Sequence, residues 1–229
     1  MRPLGAPVEG WAPPPAPGDA PMAGRYCRLE RLSAAHAPAL WEGFAGEDWL
    51  WDYMPSGPFP DEAAFTAWVE SLTPSRDPLF YTILVEGRPM GMHSYLRIAP
   101  AAGSIELGNI CLSPALQRTP AATEAFTLMI GGAFEAGYRR FEWKCNALNA
   151  PSRRAAERLG LSFEGIFRQA LVVKGRNRDT AWYAAIDSEW PALKAAYESW
   201  LAPENFGADG RQIQRLSDLT APILVARSP

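Results

Sequence analysis

The sequence predicts an α/β protein built on a mixed, mostly antiparallel sheet with helices on both faces. Two patterns support this fold class. Three consecutive strands lead into a long helix that begins near residue 120, and two long strands around a charged turn follow after one more strand and helix. The predicted order is β-α-α-β-β-β-α-β-α-β-β with a last helix. Strands grouped before and after a buried helix are typical of a sheet that is covered on both sides.

The chain of 229 residues has room for one packed domain with an extension at each end. Residues 1–23 contain seven prolines, which break helices and central strands, so we expect a disordered or polyproline-like arm. This arm is either a passive tail or a proline-rich ligand. The domain is predicted for residues 24–201. Residues 202–229 form a predicted extension that packs on the domain through Ile213, Leu216 and Leu219.

The composition excludes several classes of function. A net charge of -3 gives no general attraction to nucleic acid or to acidic membranes. The three cysteines form no disulfide framework and are not spaced as zinc ligands, and with two histidines no metal site is expected. No apolar run reaches the roughly 18 residues that cross a membrane. No signal peptide is recognised, so the expected location is the cytoplasm.

The first half of the domain alternates strand and helix patterns. Its predicted elements are a strand at 26–32, helices at 33–44 and 62–72, and strands at 80–85, 90–98 and 104–112. Ser33 and Asp61 are suitable N-caps for the two helices. Turn residues at 86–89 and 100–103 separate the three strands, which are therefore expected to pair in antiparallel order.

The second half contains the remaining elements. They are a helix from about 120 to 136, a strand at 140–145, a helix at 150–159, strands at 163–173 and 180–186, and a helix at 189–201. Gly137 is a suitable C-cap for the first of these helices, and Pro151 fits the first turn of the second. The charged turn 174–179 joins the last two strands.

The stretch 105–134 is the centre of this prediction. A mostly apolar strand, which carries the carboxylate Glu106, is followed by a turn and a long amphipathic helix. Thr119 fits the N-cap position and Pro120 fits the first helical position. Free backbone N–H groups at a helix N-terminus just past a strand end can bind an anion.

Two motifs in the chain resemble the GNAT superfamily of N-acetyltransferases. The sequences ELG at 106–108, SP at 113–114 and QRTPAATEA at 117–125 stand where members of its RimJ/RimL branch carry EIG, SP and RGKGYATEA. The sequence from Asn149 to Gly165 matches a second motif of that branch, N-x-x-S followed by G-F-x-x-E-G, with Leu161 in place of the phenylalanine. Cys145 stands seven residues before Ser152, as in that branch. The resemblance covers residues 24–190 and implies the GNAT fold, in which the fourth and fifth strands splay apart.

The resemblance implies acetyl-coenzyme A (acetyl-CoA) as the acetyl donor. Its pantetheine arm is expected to lie in the gap between the splayed strands, along Ile110, Cys111 and Leu112. Its pyrophosphate is expected at the loop and helix start, at Gln117, Arg118, Thr119, Ala121, Ala122 and Thr123. Asn149 is expected either to bind the pantetheine or to cap its helix.

The phosphate loop departs from the family pattern. Arg118 and Pro120 stand where the family has two glycines. Because proline has no N–H, one phosphate donor is missing at that position. Arg118 either replaces it with a charge-assisted hydrogen bond or is simply solvated.

The implied chemistry is direct attack of an amine on the thioester. Glu106 is the candidate base, directly or through a water, because an apolar strand would desolvate it and favour its neutral form. Ser152 matches the serine that gives a proton to the thiolate in the ribosomal branch. It is also one of the residues that are expected to bind acetyl-CoA. The structural alternatives are an exposed carboxylate at Glu106 and support of a helix start by Ser152. Cys111 and Cys145 are expected to be buried strand residues rather than nucleophiles.

The acceptor side is expected at the aromatic loop and the charged turn. Trp49, Trp51 and Tyr53 either wall the acceptor pocket or belong to the core. Asp179 either holds the ammonium group of the acceptor or is part of a solvated turn.

Two functions from different classes follow from these observations. The first is N-acetylation of a primary amine, either a protein N-terminus or a small molecule, with acetyl-CoA as the other partner. The second is a non-catalytic acyl-CoA-binding or interaction module on the same fold. Neither a membrane nor a nucleic acid is an expected partner. The sequence leaves the oligomeric state open, and an exposed apolar edge of the C-terminal extension could serve a homodimer.

Overall fold

An eight-stranded sheet forms the centre of the protein in the computed structural model, which describes residues 2–229. In chain order the strands are β1 (Met22–Ala23), β2 (Arg28–Arg31), β3 (Leu79–Val85), β4 (Arg88–Ala99), β5 (Ser104–Leu112), β6 (Arg140–Asn146), β7 (Ser162–Val173) and β8 (Arg176–Ile186). Their spatial order is β1-β2-β3-β4-β5-β6-β8-β7. All neighbours are antiparallel except β5 and β6, which run parallel because α3 connects them.

Six α-helices cover the two faces of the sheet. They are α1 (Ala37–Phe44), α2 (Glu62–Leu72), α3 (Pro120–Glu135), α4 (Ala150–Arg158), α5 (Trp190–Leu201) and α6 (Leu216–Thr220). The first two pack on one face with a small aromatic core, and the other four pack on the opposite face with the larger core. The predicted fold class is therefore confirmed, and the predicted elements differ from the observed ones by only a few residues at their ends.

The sheet opens between β5 and β6. The two strands pair only from Ser104 opposite Arg140 to Leu107 opposite Trp143. Beyond that point β5 contains a bulge, in which Asn109 has a left-handed backbone with φ 51°. Because asparagine tolerates this conformation better than most residues, the bulge is readily accommodated there. It turns the end of β5 away from β6 and leaves a gap between the two strands.

The start of α3 is tied to the beginning of the domain. The buried carboxylate of Glu124 accepts three backbone N–H groups, from Arg25 at 2.7 Å, Tyr26 at 2.6 Å and Cys27 at 2.8 Å. Each of these bonds is charge-assisted. The segment that leads into β2 is thereby fixed against the helix whose N-terminus borders the gap.

The N-terminal arm makes specific contacts with the domain, which differs from the expected disordered segment. Its last residues form β1 and pair with β2. The Tyr81 hydroxyl donates to the Gly18 carbonyl at 2.7 Å, and Asp19 forms ion pairs with Arg31 and Arg76. These partners lie far along the chain, so their contacts were not visible as a local pattern in the proline-rich sequence.

The C-terminal extension packs on α4, α5 and β7. Leu216 is fully buried and Leu219 packs partly buried against the core, as expected, but Ile213 is 73% exposed and does not belong to the apolar edge. The helix α6 begins only at Leu216. Ile213 therefore precedes the helix and does not share its apolar face with Leu216 and Leu219. None of the helices within residues 2–229 combines the length and apolarity required to cross a membrane.

Candidate active site

The gap between β5 and β6 exposes backbone groups of β5. The Ser113 N–H donates to a carbonyl of β4, so Cys111 is the preceding hydrogen-bonded position, since bonded pairs alternate along antiparallel strands. The backbone groups of Cys111 therefore point to β4, whereas those of Ile110 and Leu112 point into the gap. An extended ligand could pair with these two residues as an additional strand. The expected role of Cys111 in such pairing does not fit this register.

The loop before α3 has the shape of an anion site. Arg118 adopts a left-handed backbone with φ 62°, the conformation that a glycine would favour, so the loop keeps a glycine-like geometry. The N–H groups of Arg118 and Ala121 have no acceptor within residues 2–229. They remain available at the helix N-terminus, where the helix dipole also favours an anion.

Other predicted loop residues are used by the protein itself. The Thr119 hydroxyl accepts the Ala122 N–H at 3.1 Å and thereby caps α3 as predicted. Gln117 donates through its side-chain amide to the Leu112 carbonyl at 3.0 Å and closes the loop onto β5. Thr123 accepts a hydrogen bond from Arg158 of α4 at 3.1 Å. These contacts shape the loop, and they bring the half-buried guanidinium of Arg158 close to it.

Ser152 faces the gap from the side of α4. Its hydroxyl oxygen accepts the indole N–H of Trp143 at 3.0 Å, so the hydroxyl hydrogen can be donated, either to the adjacent Cys145 sulfur or to another group. Asn149 accepts the Ser152 N–H at 3.1 Å and caps α4, which agrees with its capping alternative. Burial raises the pKa of the neighbouring Cys145 thiol, so that residue stays protonated and is a poor nucleophile.

Glu106 faces the gap from the opposite side of the sheet. Only 2% of the residue is exposed, as expected for a carboxylate on an apolar strand. Arg97 binds both carboxylate oxygens, at 2.6 and 2.8 Å, and Lys144 lies 2.9 Å from one of them. The carboxylate is therefore buried but not isolated. The expectation of a carboxylate surrounded by apolar residues alone is therefore incomplete, because two cations contact it.

Lys144 links Glu106 to a second carboxylate. Its ammonium group is almost fully buried and also lies 2.8 Å from Glu142, the residue opposite Glu106 in the β5–β6 register. Burial acts to raise the pKa of Glu142, but hydrogen bonds from Arg140 and Lys144 outweigh this effect and the pKa is lowered. The acceptor side of the gap is thus a network of alternating charges.

The aromatic loop lies next to the charged turn. Lys174 donates to the Trp51 carbonyl at 2.8 Å, and the Tyr53 hydroxyl donates to the Leu148 carbonyl before α4 at 3.3 Å. These two contacts close one end of the acceptor side. Trp49 and Tyr53 remain partly exposed there and fit the role of pocket walls.

Trp51 does not line the pocket. It is buried to 97% and packs edge-to-face against Phe44, Phe59 and Trp68. The prediction of an acceptor-binding role for Trp51 is therefore replaced by its core alternative. An indole that fills an aromatic core beneath α1 and α2 has no free surface for a ligand.

Asp179 is engaged within the β7–β8 hairpin. Its carboxylate accepts the Gln169 N–H at 2.7 Å and the Asn177 side-chain amide at 2.9 Å. The Gln169 N–H in particular lowers the pKa of Asp179. Gln169 itself has a left-handed backbone with φ 51° at an irregularity of β7. Asp179 therefore stabilises this bulge, and the structure gives it no direct contact with the acceptor side.

Three site residues carried no local signal in the sequence. They are Trp143, Lys144 and Arg97, which position Ser152 and Glu106. The alternating burial of β6, with Trp143 on one face and Lys144 on the other, could have placed them on opposite sides of the sheet. Their partners could not be read from the sequence, because these contacts join separate strands and helices.

Another groove, of about 540 Å³, lies between α3 and α5, on the face away from Glu106. It is lined by the helix surfaces around Gly131, Trp190 and Lys194, and it does not contain the groups that bear chemistry. Within residues 2–229 no cluster of three or more acidic, histidine or cysteine side chains is arranged to hold a metal ion.

Comparisons with known proteins agree with this geometry. A family model described as Acetyltransferase (GNAT) domain matches residues 27–162, more than half of the chain. A comparison with curated proteins found no match. Similar solved structures do exist, and the most informative ones divide into two groups by sequence identity.

Two bacterial structures are similar over most of the chain. The crystal structure of a GCN5-related N-acetyltransferase from Brucella melitensis is 45% identical, covers 93% of this chain and 100% of its own, and has a TM-score of 0.91. That of a probable acetyltransferase of the GNAT family from Chromobacterium violaceum is 41% identical, covers 84% of this chain and 98% of its own, and has a TM-score of 0.79. The RimL ribosomal L7/L12 α-N-protein acetyltransferase is 21% identical, covers 77% of this chain and 99% of its own with a TM-score of 0.65, and shares the fold.

The open sheet, the anion loop at α3 and these matches define the class of protein: this chain belongs to the GNAT acetyltransferase family. It is an N-acetyltransferase that uses acetyl-CoA.

Proposed function

We propose that this protein moves the acetyl group of acetyl-CoA to a primary amine by direct attack of the amine on the thioester. One observation carries this proposal. The gap between β5 and β6 has a hydroxyl, Ser152, on one side of the sheet and a carboxylate, Glu106, on the other. Acetyl-CoA bound in the gap presents its thioester between the hydroxyl of Ser152, a proton donor, and the carboxylate of Glu106.

The donor is held by groups that the fold leaves free. The backbone of Ile110 and the N–H of Leu112 pair with the pantetheine amides, and the N–H groups of Arg118 and Ala121 bind the pyrophosphate. The side chain of Arg118 adds a charge-assisted bond in place of the missing N–H of Pro120. These groups therefore fit acetyl-CoA although Pro120 replaces the second glycine of the family loop.

The reaction follows from the same geometry. The amine nitrogen attacks the thioester carbon from the side of Glu106, an oxyanion forms, and the carbon–sulfur bond then breaks. Ser152 gives its proton to the departing thiolate and recovers one from solvent. The amine loses a proton to Glu106 through a water, so no net charge accumulates. An α-amino group with a pKa of about 8 is partly neutral at cellular pH, so Glu106 needs to be only a weak base.

The acceptor that we favour is an α-amino group, as in the ribosomal branch that the two motifs resemble. A small primary amine is the other candidate. We assign the acetyl transfer to the cytoplasm, because all three cysteines are buried as free thiols. A homodimer stays a prediction, and Ile213 and Val225 are exposed apolar residues of the extension that are available for it.

Calorimetric titration with acetyl-CoA, followed by an acetylation assay on a panel of amines, tests this function. We expect micromolar binding that weakens in Arg118→Ala and persists in Glu106→Gln, and turnover with at least one α-amine. Arg154→Ala, an exposed arginine on α4, is the matched control. Binding without transfer to any amine would instead assign the protein to the non-catalytic acyl-CoA-binding modules. Absence of binding would contradict both roles.

A further inference from the structure

A row of polar groups without partners lies along β8. Arg178, Thr180 and Trp182 alternate along the strand and therefore share one face of the sheet. Arg178 Nε, Thr180 Oγ1 and Trp182 Nε1 are all buried, and none has a hydrogen-bond partner within residues 2–229. Each buried polar group without a partner costs about 1–3 kcal/mol, so three in succession call for a ligand.

The row borders the acceptor side of the gap. Trp182 lies opposite Lys144 in the β6–β8 register, and the Lys144 ammonium is 3.5 Å from the centroid of the indole ring. Thr180 lies opposite Asn146, the last residue of β6. Arg178 lies beyond the end of β6, close enough to Glu106 for their charges to interact. The row thus extends from the Glu106 network along the open end of the sheet.

The charge of this region is not balanced. Three cations, Arg97, Arg140 and Lys144, are paired with three carboxylates, Glu106, Glu142 and Glu164, whereas Arg178 forms no ion pair within the described chain. One positive charge is left on the acceptor side, next to two carboxylates. A group with a single negative charge would balance it, whereas a doubly charged phosphate would be repelled by Glu106 and Glu142.

We propose that Arg178, Thr180 and Trp182 form a subsite for a carboxylate, and that the amine accepted by this enzyme also carries that carboxylate. The guanidinium supplies the charge, and the hydroxyl and the indole N–H supply two further donors for a group with two acceptor oxygens. This inference rests on the proposed function and narrows its substrate class to carboxylate-bearing primary amines.

Paired acceptors that differ only in the carboxylate test the subsite. One pair is methionine and methioninamide, in which the carboxylate is on the carbon that bears the amine. The other pair is two C-terminally amidated peptides that begin with Ser-Asp or Ser-Asn. For the wild-type protein we expect kcat/KM to favour the carboxylate member of one pair by about tenfold, the effect of one charge-assisted bond. The pair that shows the preference identifies the source of the carboxylate.

Variants connect the preference to the row. Arg178→Gln should abolish it by raising KM for the carboxylate member, and Arg178→Lys should restore part of it. Thr180→Val keeps the shape of the side chain, and Trp182→Phe keeps an aromatic ring but removes the N–H donor. Each should reduce the preference about threefold, a fraction of the effect of the charged group. Arg154→Gln, an exposed arginine on α4, removes the same charge elsewhere and should leave the preference intact.

The outcomes separate this inference from the proposed function. Acetylation of amines without any preference in either pair, or a preference that Arg178→Gln does not change, would overturn the carboxylate subsite alone. Failure to acetylate any amine, despite binding of acetyl-CoA, would overturn the proposed function as well. Circular dichroism of each variant shows whether the fold is retained.

Discussion

Replacement of Glu106 by glutamine tests the reasoning about the acceptor side most directly. The variant keeps the size of the side chain but removes the charge that Arg97 and Lys144 share. Arg97 is 58% exposed, so its pair contributes at most about 1 kcal/mol. Lys144 is buried, and a charge-assisted bond to such a group contributes about 1.5–3 kcal/mol. Because Lys144 keeps Glu142, we expect a total loss of about 2–4 kcal/mol in the free energy of unfolding.

The effect on catalysis should be larger than the effect on the fold. If Glu106 receives the amine proton, Glu106→Gln should lower kcat about 100- to 10,000-fold, which corresponds to about 3–5 kcal/mol on the barrier. The affinity for acetyl-CoA should change little, because the groups that bind it are the backbone at the open end of β5 and the start of α3, not the side chain of Glu106. Urea denaturation measures the first effect, and steady-state acetylation at saturating acetyl-CoA measures the second.

Glu142→Gln provides the matched control. This residue also loses an ion pair with Lys144 and lies directly opposite Glu106, but Arg140 is its second partner and no step of the proposed reaction uses it. We expect a similar loss of stability and less than about a fivefold loss of kcat, the size of one hydrogen bond. Equal losses of kcat in the two variants would refute the role of Glu106 as proton acceptor and leave it as a structural member of the charge network.

Three further predictions concern the donor side and the core. Ser152→Ala should lower kcat by about 100-fold and Trp143→Phe by about fivefold, at unchanged acetyl-CoA affinity, and an unaltered kcat in Ser152→Ala would reject its role as acid. Arg118→Gly should relieve about 1–2 kcal/mol of left-handed backbone strain. The greater conformational entropy of glycine in the unfolded chain should offset about 0.5–1 kcal/mol of this gain in stability. Its melting temperature should therefore rise while acetyl-CoA binding weakens, and a lower melting temperature would contradict the strain. Burial lowers the pKa of His93 to about 3 in the folded state, whereas the ordinary pKa of a histidine is 6.5. Between these two values the unfolded chain binds a proton at this residue and the folded protein does not. This group alone should make the stability fall as the pH drops from 6.5 toward 3, by about 2–3 kcal/mol at pH 4.5. His93→Leu should reduce the slope by that amount in urea denaturation measured across that range.

The two sides of the site have different physical bases. On the donor side the protein offers backbone groups and a helix N-terminus, which depend on the bulge at Asn109 and on the cap at Thr119. On the acceptor side it offers side chains of three strands, held by ion pairs. Substitutions in the first set should alter acetyl-CoA binding, whereas substitutions in the second should alter the choice and turnover of the amine.

The sequence by itself determined the order of the elements and the position of the donor loop. Caps such as Asp61 and Thr119 act on residues three or four positions away, and apolar periodicity is also local, so both can be read along the chain. The motifs around Glu106 and Ser152 were equally local. For the same reason the family resemblance could be stated before any contact was known.

Only the tertiary structure decided what those side chains do. Glu106 became an ion-paired carboxylate because β4 and β6 bring Arg97 and Lys144 to it from either side. Trp51 became a core residue because α1 and α2 close over it. The unpartnered row on β8 also follows from the strand order, since β8 lies next to β6 although α4 and β7 separate them in the chain. The physical reason is that burial and charge pairing are set by neighbours distant in sequence, and no local pattern records them.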